Sequence, residues 1–141
     1  MKLPVILTFQ GCQYYSEQEP EVIELVTEGT LEYAAGVWTL QYEESALTGL
    51  EGVTTTFTVE EGKITLTRTG KLNSQMVFCE GVRHDSLYQM DFGALLLTVC
   101  AKQIEANISD RGGVVDLVYS IEIEHGEAGI VEYHLDLKAK E

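Results

Sequence analysis

Apolar and polar residues alternate along almost the entire chain. In an extended strand, side chains two apart point the same way, so each alternating run carries one apolar and one polar face. Such runs occupy roughly residues 3–14, 21–34, 37–45, 53–60, 63–70, 73–80, 82–91, 94–101, 102–109, 114–125 and 129–139. Glycine-bearing breaks separate most of them: Gly36, Glu61-Gly62, Gly81, Asp91-Phe92-Gly93, Asp110-Arg111-Gly112-Gly113 and His125-Gly126-Glu127. Ser16–Glu21 and Ser45–Gly52 form longer connections. No long segment repeats its apolar residues at the 3.6 period of a helix. Residues 100–109 are ambiguous: Ile104, Ala106 and Ile108 suit a strand, yet Ile104 and Ile108 also fit one helical face.

Short turns about every eight to twelve residues join antiparallel neighbours in sequence order, and parallel crossovers would need more chain. About ten strands with one apolar face each must bury that face in a sandwich or a barrel. A meander without a long crossover favours an up-and-down barrel, which also removes exposed edges. The expected fold is therefore all-β: one domain over residues 1–141, a single antiparallel up-and-down β-barrel of about 8–10 strands. A barrel of that size is either filled by side chains or holds one small ligand.

Composition narrows the partners. With 141 residues, 45% of them hydrophobic, the chain can bury a substantial core. Nine Lys and Arg against 23 Asp and Glu give a formal charge of −14. Nucleic-acid and anionic-membrane partners are disfavoured, because both require basic side chains. The outward acidic residues read as solubility and edge protection, and a homodimer through those strands stays open as an alternative. Cys12, Cys79 and Cys100 show no CxxC spacing, so neither a disulfide framework nor a zinc site is expected. The apolar run near the N-terminus is too short for a signal-peptide core, and no stretch is long enough to span a membrane as a helix. A reduced, cytoplasmic protein is the expectation. Asn107-Ile108-Ser109 matches a glycosylation acceptor, which carries no meaning without secretion.

On a few strands the apolar stripe carries groups foreign to a core. Arg68 follows Ile64 and Leu66; His84, Ser86 and Tyr88 lie between Val82 and Met90; Glu44 follows Trp38, Leu40 and Tyr42. An inward charge is costly unless it is paired or serves a ligand. Arg68 is expected either to pair with Glu44 at one barrel mouth, its head reaching water, or to fix a ligand carboxylate in an apolar cavity. His84 is either a satisfied structural residue or a proton carrier. The tyrosines need partners for their hydroxyls, or a ligand. The candidate ligand-binding set is Trp38, Tyr42, Arg68, Met76, Phe78, His84, Tyr88 and Tyr119, with Phe57 in the lining. His125 falls in a turn and His134 on the outer face. No metal-ligand spacing, nucleophile elbow or phosphate loop is present, so no metal or cofactor is expected.

Asn73-Ser74-Gln75-Met76-Val77-Phe78, followed by Gly81, His84, Ser86-Leu87-Tyr88 and Phe92-Gly93, resembles the YwiB-like family of uncharacterised bacterial proteins. Tyr42-Glu43-Glu44-Ser45, Leu47–Gly52, Thr54-Thr55-Thr56 and Gly112-Gly113 with Leu117 and Tyr119 fit the same family, so the resemblance covers nearly the whole chain. Cys79 and Cys100 depart from it. The resemblance implies a calycin-type, lipocalin-like barrel; the family has no established activity, so no catalytic residue carries over from it.

Three functions are compatible with these expectations. The leading one is a barrel that binds a small, partly apolar ligand, anionic at the Arg68 end. The second is an enzyme using His84 or Tyr88 as proton donor and Arg68 as anion clamp. The third is an interaction module with a filled core.

Overall fold

The computed structural model describes residues 2–14, 19, 21–44, 51–71, 73–90, 93–124 and 126–140. Among the described residues there are ten strands and no helix: β1 (Lys2–Tyr14), β2 (Glu21–Ala34), β3 (Val37–Glu43), β4 (Val53–Glu60), β5 (Lys63–Gly70), β6 (Ser74–Cys79), β7 (Arg83–Met90), β8 (Gly93–Ser109), β9 (Gly112–Ile123) and β10 (Gly126–Ala139). Parts of the connections around 16–21 and 45–52, the Asp91-Phe92 turn and His125 lie outside the described residues, as does the terminal residue at each end.

Each strand pairs antiparallel with its sequence neighbour except β6 with β7, and β1 also pairs with β10. The sheet therefore curls into a nearly closed up-and-down barrel whose seam lies between β6 and β7. At the seam the ladder is reduced to a Cys79–Val82 bridge and a parallel Glu80–Ala101 bridge. Local sequence sets the hairpins. Ala34 pairs with Val37, leaving Ala35 and Gly36 as a two-residue turn with φ of 51° and 82°. Two positive φ values match the right-handed twist of the flanking strands, and glycine takes that conformation without strain.

Alternation is visible directly in burial: Val5, Leu7 and Phe9 on β1 are buried, as are Val53, Thr55, Phe57 and Val59 on β4 and Leu117 and Tyr119 on β9. Residues 94–109, expected as two strands, form one. A register shift between Ala101 and Gln103 inserts an extra residue into β8. A bulge of this kind flips the parity of the residues beyond it. Leu97, Val99 and Ala101 face the core before it, and Ile104 and Ile108 pack on the core after it. That switch gives the segment its partly helical pattern. Val82, expected inward, is 54% exposed, because it belongs to the tight β6–β7 connection and not to the β7 ladder.

The two ends of the barrel differ. Around Trp38, Leu40, Phe57 and Leu135 the interior is filled, with no room for a water molecule. The other end, where β5 finishes and β6 begins, is not filled.

Candidate functional site

At the unfilled end the registers place a row of polar inward positions across four strands. Tyr42 on β3 faces Thr55 on β4, Thr55 faces Arg68 on β5, and Arg68 faces Ser74 on β6. Tyr42, Thr55 and Ser74 are buried, and so is Glu44 just beyond β3. The Thr55 hydroxyl donates to Glu44 Oε2 at 2.5 Å, and the Tyr42 hydroxyl also bonds to the Glu44 side chain. A buried carboxylate held by two hydroxyl donors is tolerable where an unbonded one is not.

Backbone spacing makes this row fit. Gly29 on β2 is the direct partner of Tyr42. A Cβ there would stand 2.7 Å from the Gln41 carbonyl oxygen and 3.2 Å from Tyr42 Cβ. Gly11 faces Tyr133 in the same way, and its Cβ would meet the Phe9 ring at 3.0 Å.

On the opposite wall, Tyr119 on β9 and Tyr133 on β10 share a hydroxyl–hydroxyl hydrogen bond of 3.2 Å, with rings edge-on at 5.6 Å. Such a pair uses one phenolic proton between them, so the second is available to another acceptor. Phe78 packs against Tyr119 at 4.6 Å and Phe9 against Tyr133 at 5.0 Å, which fixes both rings.

Arg68 lies between these two polar groups. Burial works against its charge. Tyr133 and Tyr119, then Glu44 and Tyr42, more than offset that, so Arg68 holds its proton even more firmly than an ordinary arginine. Its Nε is fully enclosed and has no hydrogen-bond partner among the described residues. Burial, then the Glu44 charge, holds the Tyr42 hydroxyl protonated well above its usual range, with Arg68 pulling the other way.

Beside Arg68 is a cavity of about 220 Å³. Its polar lining is Gln13, Arg68, Tyr119 and Tyr133; its apolar lining is Met76, Leu95, Leu97, Ile121, Ile123 and Val131. An apolar cavity of ~150 Å³ holds one benzene molecule, so this one takes a molecule built on a single ring or a short chain.

Of the residues singled out in the sequence, Arg68, Met76 and Tyr119 line the cavity and Tyr42 sits in the polar row behind Arg68. Phe78 is fully buried behind Tyr119, and Phe57 is stacked on Tyr42. Trp38 is at the opposite end, against Tyr33 at 4.6 Å, and is not grouped with the others. His84 is half-buried with an enclosed, unpartnered Nδ1, but it is not among the described residues that line the cavity. Tyr88 pairs through its backbone with Leu95; its side chain is not among the described ones. His134 is on the outer face, 2.5 Å from Asp116. Gln13, Leu95, Leu97, Ile121, Ile123, Val131 and Tyr133 escaped the candidate set. Alternation reports the face of a residue, whereas membership of the site also depends on its height along the barrel, which only the registers fix. All three cysteines are free, and the described residues contain no group of three or more His, Cys, Asp or Glu arranged to hold a metal.

Ten antiparallel strands in a nearly closed meander, with a cavity beside Arg68, form a β-barrel consistent with a calycin-like fold. The family described as Domain of unknown function (DUF1934) matches residues 7–137, and the chain belongs to that family. The crystal structure of the ywiB protein from Bacillus subtilis is similar, with a TM-score of 0.87 and 22% identity over 99% of this chain and 94% of that chain. That likeness supports the fold, and it agrees with the YwiB-like resemblance read from the sequence. No curated protein matches the chain.

Proposed function

We propose that the barrel binds a small molecule with an apolar body and an anionic head in the cavity at the Arg68 end. The carrying observation is the enclosed Arg68 Nε, without a hydrogen-bond partner, beside a cavity whose other walls are largely apolar. A buried guanidinium donor left unbonded is costly, and a carboxylate is the group its planar fork fits best. Glu44, held by Thr55 and Tyr42, balances the arginine charge enough for the unliganded barrel to tolerate it. The tyrosine pair adds a second donor on the facing wall.

The apolar residues then select the body of the ligand and the volume limits its size. A charge of −14 keeps nucleic acid and anionic membranes outside this reading, and a reduced cytoplasmic setting suits the three free thiols.

Native mass spectra of gently purified protein, recorded before and after denaturation, test the proposal. The expected result is a discrete added mass that denaturation releases, or uptake of added hexanoate or benzoate but not of hexan-1-ol or benzyl alcohol. A bare chain that takes up neither carboxylate would overturn it.

A further inference from the structure

Among the described residues the barrel wall is laddered everywhere except between β6 and β7, and the registers explain the exception. Extended by one step, the Cys79–Val82 bridge would set Phe78 opposite Arg83. Antiparallel partners share a face. Phe78 is fully buried inside, while Arg83 is exposed and pairs with Glu122 at 2.6 Å. The two strands cannot ladder beyond the bridge, so the wall there is made by side chains.

Beside the buried Met76 and Phe78, several of those side chains are polar. The described structure has four enclosed side-chain polar atoms without hydrogen-bond partners: Arg68 Nε, Ser74 Oγ, His84 Nδ1 and Ser86 Oγ. They come from β5, β6 and β7, on the two sides of the seam. Ser74, 7% exposed, is the direct partner of Arg68. Across the seam, Ser86 is level with Leu97 and Ile123, and His84 with Val99 and Ile121. Leu97, Ile121 and Ile123 line the cavity. Its lining runs from Arg68 and Met76 on β5 and β6 to Leu95 and Leu97 on β8, and Ser86 on β7 is the direct ladder partner of Leu97.

We infer that the ligand carries a second polar group, a hydroxyl, which binds at this seam between Ser74 on one side and Ser86 with His84 on the other. The ligand class is then a small hydroxylated carboxylate. A hydroxyl both donates and accepts, which suits two serine hydroxyls and an imidazole nitrogen. The inference rests on the reading of Arg68 as the anion site. It adds a distinct cluster of residues to that site and a distinct chemical preference.

Titration calorimetry with hexanoate and with 2-, 3- and 6-hydroxyhexanoate tests it. A hydroxyl taken into an apolar wall weakens binding, whereas one that meets unpaired buried groups strengthens it. At least one hydroxyhexanoate is expected to bind about tenfold more tightly than hexanoate. The combined Ser74→Ala and Ser86→Ala substitutions are expected to abolish that gain and leave hexanoate affinity within about twofold. If every hydroxyhexanoate binds no better than hexanoate, while hexanoate still requires Arg68, the seam site is wrong and the anion site stands. A gain that survives the serine substitutions also removes the seam site. If none of the four binds the unaltered protein, the anion site fails and this inference with it. Should the double variant not fold, the comparison of ligands on the unaltered protein still decides.

Discussion

The Thr55 hydroxyl donates a hydrogen bond to Glu44 Oε2 at 2.5 Å within the barrel, and both side chains are buried. The carboxylate stands near Arg68 because Thr55 and Tyr42 satisfy it there. Thr55→Val keeps the shape and removes the donor. It is expected to destabilise the fold by about 1–3 kcal/mol, the usual cost of an orphaned buried acceptor, while Thr55→Ser stays close to the unaltered protein. Urea unfolding checks this, and equal midpoints for the valine variant and the unaltered protein would show that the bond is not what holds Glu44.

Tyr42 makes stability depend on pH on the alkaline side. Its hydroxyl is held protonated in the fold, chiefly by burial and then by Glu44, above the ordinary value of 10.0. The unfolded chain loses that proton first, so the Tyr42 contribution is constant below about pH 10 and declines as the pH rises further. The urea midpoint should therefore fall between about pH 9.5 and 11.5, and Tyr42→Phe should flatten the fall. Tyr14, raised to about 12 chiefly by its hydrogen bond with Cys12, is solvent-facing and adds little to this. An unchanged slope in Tyr42→Phe would remove Tyr42 as the cause.

Gly29 and Gly11 separate two kinds of close approach. At Gly29 a Cβ meets a backbone oxygen at 2.7 Å, and backbone within a ladder cannot easily move aside. At Gly11 it meets the edge of the Phe9 ring at 3.0 Å, and a ring can turn. Gly29→Ala should lower the thermal midpoint clearly, by the equivalent of about 2 kcal/mol or more, and Gly11→Ala by less. The reverse order would contradict the packing described around Tyr42.

Glu80 closes the seam at its lower end. Its Oε2 accepts the Ile104 N–H at 2.8 Å, beside the β8 bulge, and the Gly81 N–H reaches the Ala101 carbonyl at 2.9 Å. Glu80→Ala should speed hydrogen exchange at Ile104 by about tenfold or more, with Glu80→Gln retaining most of the protection. Equal exchange in the alanine variant would mean that the bulge holds itself.

Much of the fold is legible in the sequence because burial on one face imposes a period of two, and glycine marks where that period is interrupted. Val53, Thr55, Phe57 and Val59 are inward by alternation and buried in the structure. The same rule draws Arg68, Ser74 and Tyr119 to the interior. It fails where a local feature resets the parity, at the β8 bulge and at Val82 in the seam turn. It also carries no height along the barrel. Trp38 and Arg68 share an inward face yet belong to opposite ends, and Tyr133 joins Tyr119 only because β9 and β10 pair with Val131 opposite Tyr119. Register is a long-range property of paired strands, and one strand's sequence does not contain it.

The most direct test of the central claim is the nuclear magnetic resonance signal of the Arg68 Nε–H during titration with hexanoate. A carboxylate bound in the cavity should move that signal downfield and slow its exchange with water, and Arg68→Gln should lose both the signal and the binding. An Arg68 Nε–H that does not move as hexanoate saturates the protein, or undiminished hexanoate binding by Arg68→Gln, would contradict the account.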